Sequence, residues 1–385
     1  LTEKFIQRSG TDRGTDELAQ TLNYYLCDIL EEMLIFGGDI LKFAGDAVLV
    51  LWRTPPQELA KTISLVLQCS WQIQKKCGSR GTHVGQKVHL KIGISAGSMS
   101  LLTVGDRRRQ YFLICGQVLG EVCEAEQLAN AGEVILSATC WELCEQHRLR
   151  TKRLAGKRAV KVGGNMSKRR RLFLPRFQCQ PLLSNTSSSH PPSDHLHFLS
   201  SGATRPAFLL PSGRDVDEVL RKYVPEAALR KIYDSMPLGL LSELRPVTSL
   251  FIQLRLAEDN RTANLYRIVH SASRMMLEIL CPHKGKINKV LLFDKGCTFL
   301  CVFGLTGEKL PYESLHALQS AMQIFNSCST MLREIGAVSV AVTSGTVFCG
   351  VTGHPVRYEY TVIGQKVNLA ARMMVHYPGL VSCDA

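Results

Sequence analysis

Two polar side chains near the end of the 385-residue chain have the types and spacing that phosphoryl chemistry requires. Asn368 and Arg372 lie four residues apart in a helix-forming stretch, so both project from one face of a helix. An arginine can stabilise charge on a reacting phosphate, and a carboxylate such as Asp46, in a predicted β-turn, can hold the Mg²⁺ that acts with it. On spacing alone, an exposed polar stripe on an ordinary helix is the simpler interpretation of the pair.

An internal repeat indicates which elements would position these groups. Three pairs of segments match at a shift of 247 or 248 residues: 38–42 with 285–289, 91–97 with 339–345, and 111–117 with 360–365, the last with one extra residue before Gly116. Several segments at one shift indicate two copies of one domain. Two copies that pack face to face would place a site at their contact.

Each copy is predicted to run helix, strand, strand, helix, strand. The predicted elements are helices over 16–33 and 56–74, two β-rich runs over 40–52 and a strand over 88–95 in the first copy, and a strand over 247–254 before a helix over 263–280 in the second. With that additional strand the order is βαββαβ, the ferredoxin-like α+β arrangement with helices on one face of an antiparallel sheet. The first copy is expected to lack its N-terminal strand.

The predicted domains are a first copy over 1–164, a linker over 165–240 and a second copy over 241–385. The linker is basic and rich in Ser and Pro at its start, as is typical of a segment with little core of its own. The net charge of +13 is local, because residues 148–176 contain twelve Lys or Arg and no Asp or Glu. Without interleaved aromatic residues or a recognition helix, this stretch is interpreted as a solvated linker or rim, with a nucleic-acid or membrane contact as the alternative.

The overall composition is that of a globular chain that folds in water, with 45% hydrophobic and 21% charged residues. No apolar run approaches the ~18 residues of a membrane helix, and no secretory signal follows Leu1. Fourteen cysteines include no CxxC pair and no zinc-ligand spacing, so reduced and mostly buried thiols are favoured over disulfides or a structural metal. These features predict a cytoplasmic protein.

Segments 36–47, 287–297 and 359–374 resemble the soluble, bicarbonate-responsive branch of the class III adenylyl and guanylyl cyclase family, which carries two catalytic domains in tandem. The resemblance implies an intramolecular pseudo-dimer of two cyclase domains. It also implies conversion of ATP to cyclic AMP and pyrophosphate, with two Mg²⁺ or Mn²⁺ ions at a site between the domains. The ribose 3′-hydroxyl of ATP attacks, so no nucleophilic side chain is required.

The resemblance assigns a role to six residues. They are Asp46 (metal), Lys289 and Thr361 (adenine edge), Asn368 (ribose), Arg372 (charge on the α-phosphate) and Lys91 (phosphates). A guanylyl cyclase would carry acidic and cysteine-like residues at positions 289 and 361, so ATP is the implied substrate. The simpler interpretations are a turn aspartate for Asp46, an exposed edge-strand lysine for Lys91 and an ordinary strand lysine for Lys289.

Two departures from the family pattern concern the ends of the chain. The family's second metal aspartate would lie on a strand that precedes Leu1, and the final strands of the second domain would follow Ala385. We therefore expect a fragment with uncertain activity, in which one of the two carboxylate ligands is missing.

A third departure concerns bicarbonate, which the family binds at the twin of the ATP site through a lysine and an arginine of the first domain. Lys42, the repeat counterpart of Lys289, is present, but the arginine position holds Cys123 among several glutamates. Loss of a guanidinium beside carboxylates weakens anion binding. Bicarbonate stimulation is therefore expected to be reduced or absent.

A second class of function remains open. The chain can be a noncatalytic nucleotide-binding or regulatory scaffold derived from a cyclase, which the missing carboxylate and the altered anion site favour. The site residues, which fit the family in type and spacing, favour the enzyme. The string Gly37-Gly38-Asp39 is shared with diguanylate cyclases, but the Ile and Leu that follow break that signature.

Overall fold

The computed structural model describes residues 11–44, 47–81, 87–154, 156–163, 214–233, 242–256, 262–293, 296–331 and 335–384. The chain contains both helices and strands throughout, and the fold is mixed α+β, as predicted. Asp46 and most of the Ser- and Pro-rich linker lie outside the described residues.

The first copy and the linker contain two long helices, several short ones and ten strands in their described part. The elements are α1 (Thr11–Ile35), β1 (Asp39–Ala44), β2 (Ala47–Leu51), α2 (Leu59–Cys77), β3 (Ser79–Gly81), β4 (Lys87–His89), β5 (Ile92–Ile94), β6 (Ser100–Gly105), β7 (Gln110–Cys115), α3 (Gln117–Leu128), β8 (Val134–Leu136), α4 (Ala138–Leu143), β9 (Thr151–Arg153), β10 (Val160–Val162), α5 (Arg214–Arg221) and α6 (Glu226–Tyr233). The two predicted helices are confirmed as α1 and α2.

The predicted strand over 88–95 is wrong as a single element. It divides into β4, which pairs with β3, and β5, which runs parallel to β8. Leu90 lies between them, donating its N–H to the Gly78 carbonyl and accepting from the N–H of Gly132. The strand ends because its backbone changes partners at this residue.

The second copy has the complete predicted order. Its elements are β11 (Glu243–Leu256), α7 (Thr262–Leu280), β12 (Lys286–Phe293), β13 (Gly296–Phe303), α8 (Glu313–Met331), β14 (Ile335–His354), β15 (Arg357–Ile363), α9 (Gln365–His376) and β16 (Val381–Cys383). The sheet order is β12-β13-β11-β14-β15, and β16 runs parallel to β14. The first six elements form the βαββαβ unit.

The central strand β11 is buried on both faces, so the prediction of helices on one face only is wrong here. Leu250, Ile252 and Leu254 pack in a core with α7 and α8. Val247 and Phe251, on the opposite face, pack with α6 and α9. A run of eight buried residues in this strand matches a sheet covered on both sides.

The sheet of the first copy is divided where that of the second is continuous. In the second copy, β11 pairs with both β13 and β14 and thereby joins the two halves of the sheet. In the described part of the first copy, the hairpin β1-β2 forms a sheet of its own, apart from β5 and from the hairpin β6-β7. No described strand of the first copy takes the place of β11.

Strand register corrects the alignment of the repeat. Gly105 pairs with Gln110 in the hairpin β6-β7, and Gly353 pairs with Tyr358 in the hairpin β14-β15. Both pairs are related by a shift of 248 residues, and α3 and α9 begin at the same shift. The extra residue predicted before Gly116 is therefore not needed.

The corrected alignment gives new counterparts to two residues of interest. Glu359 corresponds to Tyr111, and Arg372 corresponds to Glu124, one residue after Cys123.

The helical part of the linker contacts both copies. The backbone carbonyl of Lys222, just after α5, accepts hydrogen bonds from the backbone N–H of Gln110 and from the side chain of Arg109. Ala228 in α6 is buried in the second-copy core, and Arg230 pairs with Glu308 at 3.1 Å. These contacts fix α5 and α6 against the two copies together.

Most cysteines of the described part lie in the interior, as the sequence analysis predicts. The cysteines there are free thiols, and most are buried. Burial raises the pKa of Cys297 to about 12, which leaves this thiol protonated. Among the described residues, no helix has the length and apolarity that a membrane span needs.

Helix α1 of the first copy packs on β14 of the second. The Asn23 amide donates to the Val351 carbonyl at 3.3 Å and accepts from the N–H of Gly353 at 3.1 Å. The helix is thus held to the strand by one side chain that satisfies two backbone groups.

We expect Asn23→Ala to lower the free energy of unfolding by about 1–3 kcal/mol, because a partly buried carbonyl and N–H lose their partner. Urea denaturation measures the loss, and hydrogen exchange at the Gly353 amide locates it. Lys75→Ala, an exposed change on α2, is the control. An unchanged urea midpoint with unchanged exchange at Gly353 would contradict this prediction.

Candidate active site

Two repeat-related lysines reach across the contact between the copies in opposite directions. Lys42 donates to the carbonyl of Val290 at 2.5 Å, and Lys289 donates to the carbonyl of Phe43 at 2.6 Å. Phe43 and Val290 are themselves repeat counterparts, so each lysine bonds the residue that follows the other lysine. The two copies are therefore joined by a reciprocal exchange.

A β-bulge places each lysine. The register of β1 against β2 shifts between Ile40 and Lys42, and that of β12 against β13 shifts between Ile287 and Lys289. One extra residue in each strand bends it and redirects the side chain that follows. The same β-bulge at the same position of the repeat explains why both lysines point to the other copy.

The surroundings of the two ammonium groups differ. Lys289 is 4% exposed and pairs with Glu359 at 3.0 Å. Lys42 instead donates to the Phe112 carbonyl at 3.1 Å and lies 4.8 Å from the centre of the Phe112 ring. An ammonium has three donors, so each lysine retains one N–H that is not engaged by another described residue.

Glu359 links three groups at this contact. Besides Lys289, its carboxylate accepts from the N–H of Phe43 at 3.3 Å and lies 3.5 Å from Arg357. Arg357 also donates to the carbonyls of Ile40 and Leu41, both at 3.3 Å. Strand β1 is therefore held along β15 by backbone and charged contacts.

In the first copy, the counterpart of Glu359 is Tyr111, so a phenol stands where the second copy has a carboxylate. Tyr111 donates its hydroxyl to the carbonyl of Ile287 at 3.1 Å. Ile287 is the counterpart of Ile40, so both carbonyls accept a side-chain donor from the other copy. Tyr111 is buried in the same core as α7, which joins the two copies through apolar packing as well.

Burial lowers the pKa of both lysines, because desolvation disfavours their charged forms. The pKa of Lys42 falls to about 8, with distant Glu359 opposing the shift and Lys289 adding to it. The pKa of Lys289 is also lowered, and its adjacent carboxylate, Glu359, opposes the effect of burial.

Thr361 lies two residues after Glu359 on β15, so both side chains share one face of the strand. It is 1% exposed, and its hydroxyl oxygen has no hydrogen-bond partner among the described residues. Tyr360 and Val362 face the opposite side, in the core with α9. A buried hydroxyl without a partner is costly, and a ligand that donates to it would remove that cost.

Asn368 and Arg372 project from α9 as the spacing predicts. The helix buries Val367, Ala370 and Met374, and both polar side chains are exposed. Neither forms a side-chain hydrogen bond or ion pair with another described residue. Their action on one nucleotide with Lys289 and Thr361 stays a prediction.

The structure separates Lys91 from this group. Its ammonium pairs with Glu126 of α3 at 2.8 Å, and the two side chains are 42% and 41% exposed. An exposed pair of this kind is weak, and it would have to open before Lys91 could contact a phosphate.

The predicted metal ligand, Asp46, lies outside the described residues. In the sequence it stands between β1, which ends at Ala44, and β2, which begins at Ala47, and β1 is the strand that contacts Lys289 and Glu359. Within the described ranges, no cluster of three or more His, Cys, Asp or Glu is arranged to hold a metal.

The twin of this site is small and mostly apolar. A cavity of about 20 Å³, lined by Lys42, Phe112, Leu113 and Val290 among others, lies beside the first lysine. On α3, the Glu121 carboxylate accepts a hydrogen bond from the Thr139 hydroxyl at 2.8 Å. A volume of this size holds about one water molecule.

Sequence reasoning missed Glu359, Arg357 and Tyr111. Glu359 stands two residues before Thr361, and strand periodicity alone would have placed both on one face. The misplaced extra residue in the repeat hid the contrast between Glu359 and Tyr111, since it aligned Tyr111 with Tyr360.

Comparison with known proteins finds a family that matches most of the second copy. Residues 251–377 match the family described as the adenylate and guanylate cyclase catalytic domain. This match contains Lys289, Thr361, Asn368 and Arg372. Over residues 251–377, the chain is therefore similar to the catalytic domain of class III cyclases.

Similarity to particular members extends over the whole chain. The chain is 44% identical to adenylate cyclase type 10 of Oryctolagus cuniculus and 42% identical to that of Homo sapiens, in each case over 100% of its own length. The chain spans 23% of the length of these relatives. A bacterial light-regulated adenylyl cyclase structure matches 42% of this chain and 49% of its own, at 18% identity, with a TM-score of 0.35 that is too low to define a relation.

The lowered pKa of Lys42 gives a testable pH dependence. Between about pH 8 and 10.5 the unfolded chain holds a proton on Lys42 that the folded chain has lost, so the contribution of this residue to stability rises with pH. We expect the rise to be on the order of 3 kcal/mol and to disappear in Lys42→Met.

Urea denaturation of both proteins across this pH range measures the difference. Lys61→Met, at an exposed position of α2, controls for the loss of an ordinary lysine. Equal pH slopes for the native protein and Lys42→Met would show that the Lys42 ammonium is not desolvated.

Proposed function

We propose that the chain forms the ATP site of an adenylate cyclase, which converts ATP to 3′,5′-cyclic AMP and pyrophosphate. The observation that carries this proposal is the pairing of two base-reading groups. The Lys289 ammonium is held at the contact between the copies with one N–H not engaged by the described residues, and buried Thr361 has a hydroxyl without a described partner.

These groups match the edge of adenine. Adenine N1 accepts a hydrogen bond and its 6-amino group donates one. An ammonium can only donate, and a threonine hydroxyl can accept, so Lys289 suits N1 and Thr361 suits the amino group. Guanine reverses both roles, since its N1 carries a hydrogen and its O6 accepts, which favours ATP over GTP.

The chemistry expected on the ribose and phosphates involves α9. Asn368 would orient the ribose, and Arg372 would stabilise the charge that develops on the α-phosphate. The 3′-oxygen forms a bond to the α-phosphorus as the bond to the β-bridging oxygen breaks, and pyrophosphate leaves. The proton of the 3′-hydroxyl passes to solvent. Lys91 would contact phosphate oxygens once released from Glu126.

Class III cyclases use Mg²⁺ or Mn²⁺, which neutralises phosphate charge and activates the attacking hydroxyl when bound. We propose Asp46 as one ligand, because in the sequence it stands between the two strands of the hairpin that lies against Lys289.

The two copies are proposed to form an intramolecular pseudo-dimer of cyclase domains over residues 1–164 and 241–385. The reciprocal lysine exchange and the paired contacts at Ile40 and Ile287 support this arrangement, since each relates counterpart residues. The stretch 165–240 is the linker, and its helices α5 and α6 hold the copies together.

The twin site is proposed to bind bicarbonate weakly if at all. The cavity beside Lys42 is too small for bicarbonate as it stands. Two of the three N–H groups of Lys42 already donate to backbone carbonyls. In the corrected alignment, the counterpart of Arg372 is Glu124, which repels anions, and the residue before it, Cys123, offers no positive charge.

A noncatalytic role is the alternative, favoured by the divided sheet of the first copy. A nucleotide-binding or regulatory scaffold would keep the base-reading groups and lose turnover.

We expect Arg372→Ala to lower the rate of cyclic AMP formation by roughly 10²-fold with little change in the Kd for ATP, because charge stabilisation acts mainly in the transition state. Isothermal titration with Mn·ATP and a cyclic AMP assay measure the two quantities. Glu124→Ala, at the repeat counterpart, is the matched control and should leave both unchanged. Absence of ATP binding by the native chain would refute the ATP site, and binding without turnover would show that this chain alone binds ATP without converting it.

Bicarbonate is expected to leave the rate of cyclic AMP formation unchanged in the same assay at constant pH and ionic strength. Chloride at equal concentration is the control for general salt effects. Several-fold stimulation by bicarbonate alone would show that the twin site binds the anion despite Cys123.

A further inference from the structure

We propose that His283 and His316 form a binding site for a divalent transition metal of the Zn²⁺ type, separate from the Mg²⁺ or Mn²⁺ of the ATP site. Both rings lie in the second copy, with His283 in the turn between α7 and β12 and His316 in the first turn of α8. No step of the proposed reaction uses either ring, so this inference goes beyond the proposed function.

The first argument is the distance between the two rings. The Nδ1 atom of His283 lies 2.8 Å from the Nδ1 atom of His316, and the ring centres are 5.1 Å apart with their planes at 51°. Two imidazole nitrogens bound to one Zn²⁺ at about 2.05 Å stand roughly 2.9–3.4 Å apart, for ligand angles of about 90–110°. The two rings therefore need to separate by only a few tenths of an ångström to share a metal.

The chemistry of imidazole permits this change without loss of a proton. In the hydrogen bond between the rings, one Nδ1 donates its hydrogen and the other accepts it. When a metal takes the lone pairs of both Nδ1 atoms, the donor ring carries its hydrogen on Nε2 instead and stays neutral. The pair thus supplies two neutral imidazole nitrogens, a ligand type that suits Zn²⁺, Ni²⁺ and Cu²⁺.

Partial burial favours the neutral rings that a metal requires. Both side chains are half-buried. Desolvation lowers the pKa of His283, and the His316 ring lowers it further, because two adjacent cations would repel each other. A histidine must be deprotonated to bind a metal, so a lower pKa reduces the competition from protons.

The backbone on both sides of the pair is held in a conformation that is rare for these residue types. Among the described residues, the non-glycine residues with positive φ are Lys284 and Tyr312, at 52° and 56°. Lys284 follows His283 directly, and the carbonyl of Tyr312 accepts from the backbone N–H of His316 at 3.2 Å. Such conformations are costly and cluster at functional sites. Their position beside both histidines supports a site at which the placement of the rings matters.

Two protein ligands leave the other positions of the metal to water. Over the described ranges, no group of three or more His, Cys, Asp or Glu is arranged to hold a metal, so the pair has no third protein ligand there. Four protein ligands are typical of structural zinc sites, whereas sites with fewer keep positions open to water. We therefore expect a site that exchanges its metal readily.

The test is isothermal titration of the full chain with ZnCl₂ in excess Mg²⁺, which fills oxygen-ligand sites and competes poorly for imidazole. We expect a Zn²⁺ site that His283→Ala and His316→Ala each weaken by at least about tenfold, because loss of an outer-shell partner alone costs about 10- to 100-fold. Nitrogen NMR of the histidine-labelled native chain tests the site without substitution, since both Nδ1 signals should shift with Zn²⁺.

Two variants serve as controls. His147→Ala removes an exposed histidine of the first copy, and Cys281→Ser removes an exposed thiol two residues before His283. Both should bind Zn²⁺ at the pair with native affinity. If a histidine variant does not fold, the NMR shifts of the native chain decide the question.

The outcomes are separate from those for the ATP site. Native Zn²⁺ affinity in both histidine variants, or unshifted Nδ1 signals, would overturn the metal site and leave the pair as a hydrogen bond alone. Equal weakening in His147→Ala or Cys281→Ser would overturn it as well, because the Zn²⁺ would then be bound elsewhere or without specificity. A chain that binds Zn²⁺ at the pair but does not bind Mn·ATP would refute the ATP site and leave this inference in place.

Discussion

The structure depends on two buried ammonium groups that must find acceptors where water is excluded. A buried cation without hydrogen bonds costs several kcal/mol, so each lysine constrains whatever surrounds it. Lys42 and Lys289 each have one acceptor in their own copy, the Phe112 carbonyl and Glu359, and one in the other copy, the carbonyls of Val290 and Phe43. The hairpin β1-β2 has no other sheet to join among the described strands, and these bonds, with those of Arg357, hold it in position.

The same contact is symmetric in its backbone and asymmetric in its charge. Both sides have the bulge, the lysine and a side-chain donor to the carbonyl of the isoleucine before it. Only one side has a carboxylate, Glu359, and a buried hydroxyl two residues further along. The other side has Tyr111, an aromatic ring beside the lysine and a cavity of about 20 Å³. A duplicated framework has thus produced one polar site and one nearly filled by apolar side chains.

Periodicity and the repeat predicted much of the fold, because helices α1, α2 and α7 and strand β11 each bury a regular pattern of apolar residues. The division of strand 88–95 was not predictable, since it depends on which neighbouring strand Leu90 meets. The repeat also placed Lys42 opposite Lys289. It could not reveal Glu359, whose role depends on a contact with Phe43 that is 316 residues distant in the sequence.

The acceptors in the lysine exchange are main-chain oxygens, and this affects how the two halves could have diverged. A side-chain acceptor disappears with one substitution, whereas a peptide carbonyl survives every substitution that preserves the path of the strand. Each half could therefore accumulate changes at positions 43 and 290, now Phe and Val, without releasing the lysine of its partner. Mutual attachment of this kind allows one half to keep a chemical role while the other loses it, and the pair still folds as a unit.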